Sequence, residues 1–544
     1  MLASAEEKTG KPAEEGEHAP AQITRRAGIV GAGTLVSRVL GLGRDQVLAF
    51  GFTAAQTDAF WIAFTIPNLL RQLVAEGAVQ SAVIPVLAQV REKEGEARAK
   101  SFFQAIRGLS TLVLLVLTAL GMFFAPQLVE LFATGFKDSP EQFERTVTLT
   151  RWLFPYLLTI GTVALGVAAL NTYRRFVVSS FAPALLNVAF IACALGLSGV
   201  LAIHGYDPIL SMALGALLGG VLQMIAQWPS LAAIGYASPP RFALRDPAVR
   251  EVLRRMGPVC IGLGIYYIDV IIGRRMLSDL GEGPVSYFNF ALRLCDFPQG
   301  IFVMALQAAT LPSLAALIAK KDPRGTAESF AYGMRLALFV GLGASAMLVA
   351  LAHPIVVMLF QRGEFSALQA EQTALALMAQ GAGIWMVACV RQLVTVFYAT
   401  GDTRTPVFVS ALDLVSFIAV AMLLKGSFGH VGISIAVSCA SLVQMSLLWW
   451  QVKRHLPALE NRPIAVSALK NGSAALLAGV SSWAASGVLA SALGPGAWAR
   501  LVPGMAGILV FCAVFFTLLA LLKSEEFSAV SGPLLRRLKR RRVV

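Results

Sequence analysis

What most constrains this chain is a succession of apolar runs, each roughly 20 residues or longer, recurring from about Arg26 to Lys523. A helix of that length spans the hydrocarbon core of a bilayer. Helix is also the form in which one segment pairs all of its own backbone N–H and C=O groups away from water. Fourteen such helices are read, beginning near Ile23, Thr57, Ser101, Arg145, Ser180, Pro208, Val249, Gly283, Gly325, Ala367, Thr405, His430, Ile464 and Ala497. The predicted class is therefore an all-α integral membrane protein. With 56% hydrophobic and 14% charged residues the chain is far from the soluble norm of about 25% charged, and no stretch is left for a soluble domain. The polar tails are residues 1–22 and 524–544. The first is charge-rich and of low complexity, as disordered segments are. It has no apolar core before a small-residue cleavage site, so it is read as a cytoplasmic tail and not a signal peptide.

Charge orients the spans. With the N-terminus in the cytoplasm, most Lys and Arg fall on the inner side: Arg91, Lys93, Arg98 and Lys100; Arg174 and Arg175; Arg241, Arg245 and Arg250; Lys320, Lys321 and Arg324; Lys453 and Arg454. A few, such as Lys137, Arg362 and Arg500, fall outside. This is the positive-inside pattern, and an even number of spans puts both tails in the cytoplasm. The net charge of +14 thus reflects topology and not nucleic-acid binding. The basic run Arg536 to Arg542 suits anionic headgroups.

Several chemistries find no support. The six cysteines (Cys193, Cys260, Cys295, Cys389, Cys439, Cys512) lie in apolar segments without C-x-x-C spacing, as structural thiols do. The five histidines form no H-E-x-x-H, and no phosphate-binding loop for ATP is present. The chain reads as a transporter, not an enzyme.

An internal repeat points the same way. Ala82-Val83-Ile84-Pro85-Val86-Leu87-Ala88 has a counterpart in Ala309-Thr310-Leu311-Pro312-Ser313-Leu314-Ala315. Phe181-Ala182-Pro183 and Arg404-Thr405-Pro406 each open an apolar span with one polar residue at its middle, Asn187 and Asp413. Two six-helix lobes in parallel orientation follow, residues 23–240 and 241–456, with two extra helices in 457–523. In such repeats the site lies between the lobes.

Seven arginines sit within spans or near their ends: Arg38, Arg44, Arg71, Arg107, Arg293, Arg335 and Arg391. Each costs roughly 2.5–3.5 kcal/mol at a helix centre. Arg107, Arg335 and Arg391 are read as shallow enough to snorkel. Arg38, Arg44, Arg71 and Arg293 are expected to face a watery cavity with Ser37, Asp45, Asp58, Asn68, Glu76 and Asp296 around them. Gly41 and Gly43 are expected to bend the first helix, and Pro67 and Pro298 to kink two others. A guanidinium is always charged and offers a planar two-pronged fork, which matches a pyrophosphate. The alternative is that the same residues only form ion pairs: Arg44–Asp45, Arg71–Glu76 and Arg293–Asp296.

These residues resemble a known family. Ser37-Arg38-Val39-Leu40-Gly41-x-x-Arg44-Asp45, Thr57-Asp58-Ala59-Phe60, Pro67-Asn68-Leu69-Leu70-Arg71, Ala75-Glu76-Gly77-Ala78 and Arg293-Leu294-x-Asp296-Phe297-Pro298 are similar to the motifs of the MurJ/MviN lipid II flippases. Phe181-Ala182-Pro183-x-Leu185-x-Asn187, Thr310-Leu311-Pro312-Ser313-Leu314, Gly363-x-Phe365 and Thr405-Pro406 extend the likeness over nearly all of the chain from Arg26. Gln72 stands where many members have a second Arg and Leu292 where some have Asp; the four main arginines are intact. The resemblance implies the fourteen-helix fold of the multidrug/oligosaccharidyl-lipid/polysaccharide exporter superfamily. It implies carriage of undecaprenyl-pyrophosphoryl-MurNAc-pentapeptide-GlcNAc, lipid II, from the cytoplasmic to the periplasmic face of the inner membrane for peptidoglycan synthesis. Its mechanism is alternating access. The arginines engage the diphosphate-sugar, Asp45, Asp58 and Glu76 serve cavity and gate, and the last two helices hold the lipid tail in a groove. The resemblance also implies a monomer that meets membrane lipids and the peptidoglycan synthesis machinery.

A second site rests on Asp269 and Asp413, each alone in the middle of a span, where a carboxylate is costly and signals ion or proton coupling. Some members of the family bind sodium in a similar arrangement, and Ser410 and Ser434 could add oxygen ligands. A protonated Asp, or a pair with Arg274 or Arg275, is the alternative. No other cofactor is implied. The rival function is a related exporter of drugs or of another polyprenyl-linked glycolipid, which predicts fewer cavity arginines.

Overall fold

Backbone groups without water must pair within their own segment, and the described residues are helices joined by short turns. The computed structural model describes residues 19–72, 78–243, 245–300, 304–494, 496–529 and 531–532. The first eighteen residues, Glu76 and the run Arg536–Arg542 lie outside the described residues.

The chain opens with α1 (Ala19–Gly51), one helix without the interruption expected at Gly41 and Gly43; a Cβ added at Gly41 would instead sit 3.7 Å from the Asn187 amide nitrogen. A capping box starts α2 (Ala54–Arg71): the Thr53 hydroxyl accepts from the Gln56 N–H and the Gln56 side chain accepts from the Thr53 N–H. α3 (Ala78–Glu94), α4 (Glu96–Phe123) and the short α5 (Ala125–Phe132) follow. α6 (Pro140–Leu153) and α7 (Tyr156–Thr172) meet at Pro155, whose missing N–H breaks the ladder. α8 (Phe176–Ile203) and α9 (Leu210–Ala233) complete the first half. The second half holds α10 (Pro247–Ser278), α11 (Pro284–Pro298), α12 (Met304–Ala319), α13 (Pro323–Ala350), the short α14 (Ala352–Phe360), α15 (Ala367–Gly381), α16 (Ile384–Ala399), α17 (Arg404–His455), α18 (Asn461–Ala492) and α19 (Ala497–Leu521). The order of a long helix, a short one and a broken pair thus occurs twice, at α4–α7 and at α13–α16.

The 52 residues of α17 would span about 78 Å if straight, far more than a bilayer. The element breaks at Gly429, with φ 55° and ψ −133°, and returns on itself, so that Gln444 Nε2 donates to Ser410 Oγ at 3.3 Å. Among the described residues nine helical stretches are long and apolar enough to cross a membrane: Glu96–Phe123, Pro140–Thr172, Phe176–Ile203, Leu210–Ala233, Pro323–Ala350, Ala367–Ala399, Arg404–His455, Asn461–Ala492 and Ala497–Leu521. This is fewer than the fourteen read from sequence. The shortfall falls on α1, α2 and α10, which carry charged residues, on α3, α11 and α12, which are short pieces of 15 to 17 residues, and on the folded-back α17.

Three large apolar clusters hold the helices. One joins both halves at the outer end, through Phe60, Trp61 and Phe190 with Phe290, Phe360 and Phe365. A second packs α3, α4, α7 and α9 and takes in Val249 and Val252 at the start of α10. A third packs α12, α13, α16 and the end of α17. Asp246 ties the second cluster together. It caps α10 by accepting from Ala248 N at 2.9 Å, and it takes a two-pronged contact from Arg98 at 2.8 Å and 2.8 Å. Arg98 first, then the backbone N–H groups, hold the Asp246 carboxyl below its ordinary value of 3.8. A depressed carboxylate contributes its stability above the unfolded value and loses it as pH falls through the folded one. The contribution of Asp246 to the thermal midpoint of the wild type is therefore lost below about pH 4. In Asp246→Asn the acid limb is shallower and the midpoint at neutral pH is lower.

A buried carboxylate also fixes the end of the described chain. Glu526 is 3% exposed and accepts from Ser467 Oγ at 2.9 Å and Ser524 Oγ at 2.6 Å. Arg335 Nε lies 3.3 Å from it and Arg335 Nη2 2.9 Å from Glu525. Arg335 is thus held in an ion pair just beyond the end of α19. Glu526→Ala removes these bonds at a cost of about 1–3 kcal/mol, read as a lower unfolding midpoint of the purified protein; an unchanged midpoint would show the contact to be idle.

Candidate functional site

Between the two halves lies a cavity of about 1240 Å³. Arg38, Arg44, Arg71, Arg293 and Arg391 line it, against two carboxylates, Asp45 and Asp296, with Ser37, Asn68, Asn187 and Gln223 among the polar remainder. Each arginine is placed by a specific local contact.

At the outer end Arg44 Nε and Nη2 donate to Asp45 Oδ1 at 2.9 Å and 2.6 Å. The pair is buried, at 7% and 2% exposure. The Arg44 guanidinium lies 5.8 Å from the Trp61 ring centroid and 5.4 Å from that of Phe190, and Arg293 lies 5.5 Å from Trp61 on its own account. Two guanidinium groups share one indole, an arrangement that quadrupole attraction stabilises once water is excluded. Arg293 Nε is 4.0 Å from Asp45 Oδ2, so Asp45 stands between both arginines. The Arg293–Asp296 ion pair that their spacing permits is not formed among the described residues; Arg293 points to Asp45 across the interface between halves. Of the three ion pairs offered as an alternative, only Arg44–Asp45 is present, and Arg71–Glu76 rests on an undescribed residue.

Further in, Arg71 Nε donates to Asn68 Oδ1 at 2.9 Å, one turn back on α2. Arg38 Nη1 donates to the Asp296 carbonyl at 3.0 Å, linking α1 to the end of α11. The Asn187 amide on α8 donates to the Ser37 carbonyl at 3.0 Å and holds α1 in place. Arg391 was read as shallow, but it lies eight residues, about 12 Å, from the Ala399 end of α16 and lines the cavity. Among the described residues the Nε atoms of Arg38 and Arg391 are buried and have no hydrogen-bond partner. Buried polar groups are normally satisfied, so both are poised for an acceptor from outside the chain. Arg107 stays near the inner end, donating to the Ser238 carbonyl at 2.8 Å.

Sequence reading missed Trp61 and placed Arg391 too shallow. Trp61 follows the Thr57-Asp58-Ala59-Phe60 block and carries no charge to mark it. The depth of Arg391 was hidden by the break between α15 and α16.

Asp58 is not in the cavity wall. It is fully buried where the halves meet at the outer end. Its Oδ2 accepts from Gly283 N at 2.6 Å and its Oδ1 from Ser286 N at 2.7 Å. It therefore caps the positive end of α11 from the other half, and Ser286 Oγ adds a bond to Thr57 Oγ1 at 2.7 Å.

The second predicted site is only partly assembled. Gly273 lies 3.6 Å from Phe417 by its would-be Cβ. One turn back on each of α10 and α17 sit Asp269 and Asp413, within electrostatic reach of each other. Ser410 is a turn from Asp413. Ser434 is elsewhere: Gln380 Nε2 donates to it at 3.2 Å, and ten residues of helix, about 15 Å, separate it from the Gln444 that meets Ser410. No group of three or more His, Cys, Asp or Glu able to hold a metal occurs among the described residues.

Comparison with known proteins gives the same picture. Residues 48–503 match the family model described as lipid II flippase MurJ. A lipid II flippase MurJ of Burkholderia cenocepacia is 32% identical over 89% of this chain and 95% of its own length. A probable lipid II flippase MurJ of Vibrio cholerae is 34% identical over 77% of this chain and 81% of its own. Among solved structures, a lipid II flippase MurJ in an inward closed conformation superposes with a TM-score of 0.74, at 21% identity, over 91% of this chain and 99% of that one. An inward-facing multidrug resistance MATE family transporter follows at 0.63 and 15% identity, over 77% and 94%; at that identity the likeness is one of fold.

Proposed function

We propose that this chain, which belongs to the lipid II flippase MurJ family, carries lipid II from the cytoplasmic to the outer face of the inner membrane. It is a transporter and makes or breaks no covalent bond. The observation that carries this reading is the convergence of five arginines from both halves on one membrane-buried cavity. A diphosphate brings two or more negative charges and many acceptor oxygens to a place where guanidinium forks already converge. The buried, unpartnered Nε atoms of Arg38 and Arg391 are donors such an anion satisfies. A drug exporter needs no such excess of positive charge, which repels cationic compounds. The test is complementation. Expressed in cells depleted of their own lipid II flippase, this chain restores growth and exposes lipid II at the outer face. Good membrane insertion without rescue would point to another polyprenyl-linked lipid.

The finer architecture belongs to the same proposal. Fourteen spans form two six-helix lobes, residues 23–240 and 241–456, with the pair in 457–523 beside them. The repeated element order and the fold-back of α17 at Gly429 support it. With α2–α3, α6–α7, α11–α12 and α15–α16 each taken as one span and α17 as two, both tails fall inside. The lobes rock about the cavity, and the polyprenyl chain stays in lipid beside α18 and α19.

A coupling cation fits Asp269 and Asp413, with Ser410 as a third oxygen donor and Ser434 left out. Neither carboxylate has a hydrogen bond or ion pair among the described residues, and hard cations take such oxygens. When bound, sodium would supply a gradient to bias the return step. Sodium chloride, against potassium chloride, is expected to raise the unfolding midpoint of the wild type and not that of Asp269→Asn or Asp413→Asn. Equal midpoints for the wild type in the two salts would remove the site.

A further inference from the structure

Helix α11 belongs to the second half of the chain but is gripped at both ends by charged side chains of the first. At its N-terminus Asp58 accepts from Gly283 N and Ser286 N. At its C-terminus Arg38 donates to the Asp296 carbonyl. The signs match the helix macrodipole, a carboxylate on the positive end and a guanidinium on the negative one. Thirteen residues of chain from Gly283 to Asp296 put these grips about 20 Å apart, one at the outer end of the molecule and one in the inner half of the membrane.

The inner grip depends on Gly300. α11 ends at Pro298, and Gln299 and Gly300 form a wider π-turn beyond it. A Cβ on Gly300 would overlap the Arg38 guanidinium. Any other residue at 300 therefore drives the guanidinium from its seat, whatever it does to the turn itself. Arg38 is at the same time a cavity arginine with one buried N–H left unpartnered.

We propose that Arg38 seated against Gly300 is an inner clamp, and that an entering diphosphate releases it by competing for the same guanidinium. Gly300 is then a positioning residue: it touches no cargo and acts through Arg38. The cargo oxygens are charged and the Asp296 carbonyl is not, so the anion is the stronger acceptor. A clamp that the cargo itself undoes links occupancy to movement of α11 through a differential interaction, as any ligand-driven shift requires. This rests on the reading of the cavity as a diphosphate site.

The experiment uses the full chain in inside-out vesicles, with Leu359→Cys reporting. Leu359 lines the cavity near its outer end, beyond the clamp as seen from the cytoplasm. A water-soluble thiosulfonate is added on the cytoplasmic side, and modification at residue 359 is followed by mass spectrometry. In the otherwise wild-type chain modification is slow, and inorganic pyrophosphate accelerates it about tenfold, the scale set by one hydrogen bond to a charged group. Arg38→Gln and Gly300→Ala are each fast without pyrophosphate and indifferent to it. Combined, they are no faster than either alone, as members of one interaction are. Slow modification in Gly300→Ala would overturn the role of Gly300, and no response of the wild type to pyrophosphate would overturn the competition. Should the pyrophosphate response hold while lipid II is not carried, the cargo is wrong and the clamp stands.

Discussion

Arg44→Ala and Arg293→Ala each lower lipid II transport by about 100-fold or more, a scale set by the loss of charge-assisted bonds of roughly 1.5–3 kcal/mol each. The two reach this result differently. Arg293 is half-exposed to the cavity, so its removal takes a donor from the cargo and leaves Trp61 with one guanidinium instead of two. Arg44 is buried and holds Asp45 at 2.6 Å. Its removal strands a carboxylate that is 2% exposed, a change that costs several kcal/mol in buried pairs. Arg44→Ala therefore also lowers membrane abundance. Asp45→Asn, added to Arg44→Ala, restores abundance but not transport. The measurement is rescue of flippase-depleted cells, scored beside immunodetection of each variant. Full rescue by well-expressed Arg293→Ala would reduce the arginines to packing elements.

Asp58→Ala produces the second large effect, on conformation. It deprives Gly283 N and Ser286 N of their acceptor at the outer contact between halves. Two buried donors lose charge-assisted bonds worth roughly 1.5–3 kcal/mol each, and opening to the outer side relieves them by admitting water. A cysteine placed in the cavity becomes modified from the outer face at least about 100-fold faster. Asp58→Asn, which keeps one carbonyl acceptor, lies between. Modification from outside at the wild-type rate in Asp58→Ala would show that the closure rests on the aromatic cluster around Phe60, Phe290 and Phe360 alone.

The residues that could be found from sequence are those whose cost is visible there. An arginine inside an apolar run is expensive wherever the run goes, so Arg38, Arg44, Arg71 and Arg293 stood out, and the structure brings all four to one cavity. Their partners were less legible, because pairing was judged along the helix. Spacing set Arg293 against Asp296, whereas the contact made is with Asp45 on α1, a relation between halves that spacing within one helix does not encode. Ser434 was misplaced for the same reason: the fold-back at Gly429 brings Gln444, not Ser434, level with Ser410. Uncharged contributors were invisible. Nothing about Trp61 in isolation announces that two guanidinium groups stack on it, and Gly300 acquires meaning only when Arg38 is seen beside it. Arg391 was visible as a charge but assigned the wrong depth, since the break at Ala382–Gly383 reads as an ordinary apolar stretch.

The most direct test of the central claim is transport by the purified protein in liposomes holding fluorescent lipid II on one leaflet, with a reagent on the other side that modifies only what arrives there. The account predicts rapid arrival with the wild type, arrival at the protein-free rate with Arg293→Ala, and competition by a second diphosphate lipid but not by its monophosphate counterpart. Equal arrival with the wild type and Arg293→Ala, or equal competition by both lipids, would contradict the claim that the arginine cavity carries the diphosphate.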